Sequence, residues 1–125
     1  MFRFHWQRSD DPPYKIRIGR KGSRVGVISE TWGFGIPKEE WVVKRALSLE
    51  QWAELKIGLR RAKFWTSESD FPGGGLDGAT WTIEGREGGR FHCIRRWSPR
   101  DGAFRDLGLL FLEFAGLQIA VEDVY

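Results

Sequence analysis

Residues 79–97, ATWTIEGREGGRFHCIRRW, are two alternating runs on either side of a Gly-Gly pair. Trp81 and Ile83 alternate with Thr80, Thr82 and Glu84, the period of a strand with one buried face. Gly88 and Gly89 tolerate the positive φ of the tight turns that hairpins favour. The two runs are therefore expected to pair antiparallel. Centring the pairing on the glycines puts Arg86 near Phe91, Glu84 near Cys93 and Thr82 near Arg95, within one residue. Phe91, Cys93, Arg95 and Trp97 then share one face, and His92, Ile94 and Arg96 the other. A slip of one residue exchanges the faces. Which arginine meets Glu84 therefore stays open. A cysteine between Phe91 and an inward Trp97 reads as a small core residue.

A hairpin needs further strands and a covering layer to be stable. The chain supplies both. Phe2, Phe4 and Trp6 alternate with Arg3, His5 and Gln7, and DDPP at 10–13 breaks the run. Residues 14–18 alternate again, GRKG at 19–22 turns, and 24–29 restart, so a three-stranded meander is expected. Residues 30–37, ETWGFGIP, read as a bulge or wide loop carrying Trp32 and Phe34. Residues 40–46 read as a fourth strand, although Pro37 with Glu39 and Glu40 also resembles a helix start. Ser48 and Gln51 form a capping box. Leu49, Trp52, Leu55, Leu59 and Ala62 recur at helical spacing, which predicts a helix over 49–63 with RRAK as its basic C-terminal end. Phe64 and Trp65 follow as expected core anchors, then a long glycine-rich loop at 66–78.

A second helix is predicted over 103–115. Leu107, Leu110, Phe111 and Phe114 form its stripe, and Leu109 and Leu112 widen it. Apolar residues on most sides mean that it is covered twice or lies at an oligomer interface, so a homodimer through 103–115 is compatible. Gly116 is a plausible stop, and 117–125 have strand character. The sum is a single α+β domain over 1–125, an antiparallel sheet of about five to seven strands packed against two helices.

The familiar catalytic arrangements are not spelled out. His92 and Cys93 are adjacent on a strand and point to opposite faces, so they cannot easily share a metal or act as a nucleophile and base. The acid pairs Asp10–Asp11 and Glu39–Glu40 sit in polar turns. PGGGLDG lacks the Lys-Ser/Thr of a phosphate loop. No metal or cofactor is implied. One cysteine excludes an internal disulfide, no apolar run is long enough to span a membrane, and FRFHWQR after Met1 lacks an apolar signal core. The expectation is a soluble, cytoplasmic chain, although a chain relieved of a signal sequence would look the same. Lys and Arg number 20 against 17 Asp and Glu, interspersed nearly everywhere. The exceptions are 17–24 and the RRAK segment. The basic turn at 17–24 reads first as solvated charge and only then as a nucleic-acid site.

Several ordered segments carry a resemblance: LSLEQW, then FW, GLDGATWTIEG, GGRFH, RRWSP and LGLLFLEFAGL. Over residues 47–117 the chain resembles a family of uncharacterised bacterial proteins. The resemblance implies a recurring domain and brings no activity with it.

With seven Trp and nine Phe in 125 residues, some rings are expected on a contact surface. The leading expectation is a non-enzymatic protein that binds another protein, of inhibitor, immunity or adaptor type. Trp32, Phe34, Trp65, Arg95, Arg96 and Trp97 are the candidates, with the loop 70–77 beside them, because Trp and Arg dominate interface hot spots. The second reading is a small-ligand protein or enzyme with a cleft between loop 70–78 and hairpin 79–97, lined by Asp77, Glu84, His92 and Arg95. The third is nucleic-acid binding through Arg17, Arg20, Lys21 and Arg24.

Overall fold

Six alternating segments make one antiparallel sheet: β1 (Phe2–Arg8), β2 (Tyr14–Lys21), β3 (Arg24–Thr31), β4 (Val42–Leu47), β5 (Ala79–Glu87) and β6 (Arg90–Trp97). Their order is β4-β3-β2-β1-β5-β6. The structure is a computed structural model, and it describes residues 1–70 and 73–125. Two helices, α1 (Leu49–Arg61) and α2 (Gly102–Phe114), complete an α+β fold.

The expected hairpin register is the observed one: Arg86 faces Phe91, Glu84 faces Cys93 and Thr82 faces Arg95. The N-terminal meander forms in sequence order, and β1 also pairs with β5, which joins the two halves of the chain in one sheet. Period two then sorts the side chains. Phe2, Phe4, Trp6, Ile16, Ile18, Val25, Val27, Trp81, Ile83 and Ile94 are buried on one face. The helices pack there, contributing Leu55, Leu59, Leu107, Phe111, Leu112 and Phe114. Each large side chain so buried contributes about 1.5–3 kcal/mol.

Both helices begin near their expected positions. The Ser48 hydroxyl accepts from the Gln51 N–H at 3.0 Å, and the Gln51 side chain accepts from the Ser48 N–H at 2.8 Å. α1 ends at Arg61, two residues before its expected end, where Lys63 takes φ +50 and stops the helix. α2 ends at Phe114, and Gly116 takes the positive φ that follows a helix. The broad apolar surface of α2 is used twice, against the sheet and against α1.

Three expectations need correction. Residues 117–125 do not form a strand; they are irregular apart from one 3₁₀ turn at Val121–Asp123. Their inner groups bond to side chains instead of to a sheet edge, as described below. The residues before β4 are also not all strand: Lys38–Glu40 form a 3₁₀ turn, so both signals at 37–46 were real and occur in series. Cys93 is not a core residue, since it stands half-buried on the sheet face opposite the helices.

Candidate functional site

That opposite face is covered by neither helix. Across it, Cys93, Glu84, Arg3, Arg17, Ile28 and Lys44 lie in one row over all six strands. Arg95, Thr82, His5, Lys15, Glu30 and Val42 form the next row. Alternation places Arg3, Lys15, Arg17, Lys21, Arg24, Lys44, Arg86 and Arg95 on this face, against Glu30 and Glu84 among the strand acids. This face is thus strongly positive, as are the strand charges of the other face, Arg8, Arg20, Arg45, Arg90 and Arg96 against Glu87, but only this face is left uncovered by the helices.

The charges are partly paired. Arg3 Nη2 donates to both carboxylate oxygens of Glu84, at 2.8 and 2.9 Å. Arg95 forks onto Asp70 with two bonds of 3.0 Å. Lys15 Nζ stands 5.4 Å from the Trp32 ring centre, and the Arg86 guanidinium 5.2 Å from the Phe91 ring centre. His5, between Lys15 and Thr82 on neighbouring strands, is partly withdrawn from water. Burial, then the cations of Lys15 and Arg3, push its pKa below 6.5, with Glu84 opposing. Burial and then the Glu84 carboxylate push the Cys93 thiol up, away from thiolate chemistry.

The His5 shift has a definite sign in stability. Below 6.5 the unfolded chain takes up a proton on His5 that the folded chain resists. The contribution is complete above 6.5 and is lost as pH falls toward the folded value. Chemical denaturation is therefore expected to show stability declining below pH 6.5, with His5→Gln flattening that decline. An identical slope in the variant would remove His5 as its source.

One corner of the open face is apolar. Val42 is 55% exposed and Trp32 is 43% exposed, and Phe34, in the loop after β3, is fully exposed. Glu30 pairs with Val42, so Trp32, two residues on, sits diagonal to Val42 on the same face, within reach of a large ring.

The nine candidate residues from the sequence do not converge on one spot. Trp32 and Phe34 lie together at the β3 end. Glu84 and Arg95 are on the open face, and His92 and Arg96 are on the helix side of the same strand. Trp65 is half-buried, edge-on to Phe2 and Phe64, with the Arg90 guanidinium 3.9 Å from its ring centre. Phe71 and Pro72, inside the expected loop, lie outside the described residues.

His92, Arg95 and Arg96 have an evident architectural task. His92 Nε2 is 2.7 Å from the Ser67 carbonyl, Arg96 donates to the Glu68 carbonyl at 2.9 Å, and the Arg95 N–H donates to the Ser69 carbonyl at 2.8 Å. Residues 67–70 are thus laced along the outer edge of β6. Farther on, Gly75 and Gly78 close over Trp97. A Cβ at Gly78 would lie 2.6 Å from both the Trp97 ring and the Ser98 hydroxyl, and its φ is +149, so glycine is required twice over. The run GGLDG is therefore a clamp on the end of the hairpin.

A cleft of about 1070 Å³ opens beside that clamp, lined by Asp10, Asp11, Asp77, Trp97, Arg105 and Tyr125 among others. Of the four residues expected to line a cleft, Asp77 borders it, while Glu84, His92 and Arg95 do not. Much of its polar lining is spoken for within the chain. Tyr125 Oη donates to Asp11 at 2.7 Å, and Arg105 donates to the carbonyls of Pro99, Val121 and Val124. Among the described residues, no cluster of three or more His, Cys, Asp or Glu is arranged to hold a metal, and no helix is long and apolar enough to cross a membrane. No protein-family model matches the chain, and no curated protein or solved structure matches it either.

Proposed function

We propose that the chain is a non-enzymatic binding domain, of inhibitor, immunity or adaptor type, that holds the acidic surface of another protein against the uncovered face of its sheet. The observation that carries the reading is the positive charge of that helix-free face, eight strand cations against Glu30 and Glu84, with exposed Trp32 and Val42 at one corner and exposed Phe34 in the loop beyond. Cations steer and orient an anionic partner, while desolvated aromatic and aliphatic groups supply the affinity. The apolar corner favours a protein over nucleic acid, whose backbone offers little to Phe34 or Val42.

This takes the hot-spot role away from Arg95 and Arg96 of the hairpin. Arg95 and Arg96 are engaged in holding residues 68–70, so their removal is expected to loosen that segment and leave capture of the partner in place. The decisive variant is Lys15→Glu with Arg17→Glu, both on the open face. In affinity capture from native lysate, this folded double variant is expected to retain at least tenfold less of the partner, roughly 1.4 kcal/mol. Equal capture by the variant would end the reading. Captured material that is destroyed by nuclease and lost steeply with salt would replace protein by nucleic acid as the partner.

A further inference from the structure

The two edges of the sheet are treated differently. The β6 edge is closed by residues 67–70, where the Arg95 N–H is satisfied by the Ser69 carbonyl. Among the described residues, none closes the β4 edge in this way. The Thr31 N–H donates to the Trp41 carbonyl at 2.9 Å, so Trp41 turns its main-chain groups inward to β3. Pairing alternates in an antiparallel ladder. Val43, Arg45 and Leu47, opposite Ser29, Val27 and Val25, therefore also face β3. Val42, Lys44 and Ala46 then direct their N–H and C=O groups outward. Among the described residues, no main-chain hydrogen bond outside the sheet reaches these three. All three are exposed.

We infer that β4 is a docking edge that takes one extended, acidic segment of a protein partner as a seventh strand. This rests on the protein-binding reading above and specifies its mode. A strand added to an edge gains main-chain hydrogen bonds for affinity and reads alternate side chains for specificity. The charge on the edge selects the occupant. Lys44 projects on the open face and Arg45 on the other, at the centre of the strand. A second copy of this chain fits badly. Outward residues must pair with outward residues, so a fully overlapped antiparallel partner sets Lys44 against its own copy, and like charges directly opposite are destabilising. Two adjacent acids at the centre of the incoming strand would instead meet Lys44 and Arg45. Apolar residues on either side would meet Val42 and Val43 at one end and Ala46 and Leu47 at the other. Trp32 and Phe34 extend the apolar contact beyond the strand's start.

The test uses the full chain labelled with ¹⁵N and a ten-residue capped peptide, Ser-Thr-Val-Val-Glu-Glu-Val-Val-Thr-Ser. Saturating peptide is expected to slow amide hydrogen exchange at Val42, Lys44 and Ala46 by tenfold or more, leaving the amides of β6 unchanged. The same peptide with two lysines for its glutamates is expected to bind at least tenfold more weakly. Lys44→Glu with Arg45→Glu is expected to reverse that preference, which guards against a variant that merely unfolds. Ala46→Pro removes one outward N–H at an edge, where proline is tolerated, and is expected to weaken binding of the acidic peptide at least tenfold. No protection at the three amides, or protection elsewhere, would overturn the docking edge. Partner capture separates this failure from failure of the parent reading. If Ala46→Pro captures as well as the original chain while Lys15→Glu/Arg17→Glu does not, the open face stands and the edge falls. If both capture fully, both fall.

Discussion

A chain ended at Asp123 is expected to lose most of its stability and to melt more than 10 °C below the full sequence. Trp6 and Trp81 are fully buried side by side, their ring centres 6.3 Å apart. Both indole N–H groups donate to one acceptor, the Tyr125 main-chain oxygen, at 2.6 and 2.9 Å. Removing that oxygen strands two buried donors at about 1–3 kcal/mol each. Val124, 6% exposed, goes with it, for about 1.5–3 kcal/mol more. The sum, about 3.5–9 kcal/mol, is comparable to the whole stability of many domains. At a few degrees per kcal/mol for a domain of this size, the melting shift follows. Urea denaturation in two backgrounds separates the hydrogen bonds from the burial. Trp6→Phe deletes one of the two donors, so truncation in that background is expected to cost about 1–3 kcal/mol less than in the original chain. Equal costs would mean that the tail is held by packing alone.

That arrangement explains why the last nine residues misled as sequence. Ile119, Val121 and Val124 have the residue types of a strand, and no local pattern distinguishes a strand from a segment whose carbonyls serve distant side chains. Arg105 and the two indoles claim those carbonyls across 16 to 119 residues of sequence. Elsewhere the local signals were sufficient. The Gly88–Gly89 turn, the Ser48/Gln51 cap and the alternation of Phe2, Phe4 and Trp6 each work within a few residues, and each gave the observed element. The hairpin faces were also legible, while the identity of the wet face was not. Phe91 and Trp97 suggested that the Cys93 side faces inward, yet Ile94 is the residue buried beneath the helices. Phe91 stays exposed on the open face with Arg86 beside its ring, and Trp97 is covered by the glycine clamp, which depends on residues about twenty positions away. The basic face required knowing which strands are neighbours. Lys15 and Arg17 join Arg3 and Lys44 only through the order of the sheet.

Gly108 and Gly58 are expected to respond to the same substitution with opposite signs. Both lie inside helices, where alanine is favoured over glycine by about 1 kcal/mol. At Gly108 a Cβ would stand 2.2 Å from Cζ3 and 2.7 Å from Cε3 of Trp81. That indole cannot move aside. Phe4 packs on it at 5.1 Å, Phe104 at 6.4 Å, and its N–H is fixed to Tyr125. The helix must lift from the sheet or the indole must leave its acceptor. Overpacking of this kind costs about 1–3 kcal/mol, and a displaced Trp81 N–H adds to it, so the propensity gain is overcome. Gly108→Ala is expected to be destabilising by about 1–3 kcal/mol and to shift the tryptophan fluorescence of the folded state. At Gly58 the nearest atoms are Leu107 Cδ1 at 3.2 Å and Leu110 Cδ2 at 3.6 Å, the far ends of side chains that can yield. Gly58→Ala is therefore expected to leave stability unchanged or to raise it by up to about 1 kcal/mol. Parallel urea titrations read both. A gain at both sites would mean that α2 rides loosely on the sheet, and a loss at both that the α1–α2 contact is as unyielding as the seat of α2 on Trp81. Opposite signs fix the close approach of α2 at Trp81, whose indole acceptor, Tyr125, then couples helix, sheet and tail in one unit.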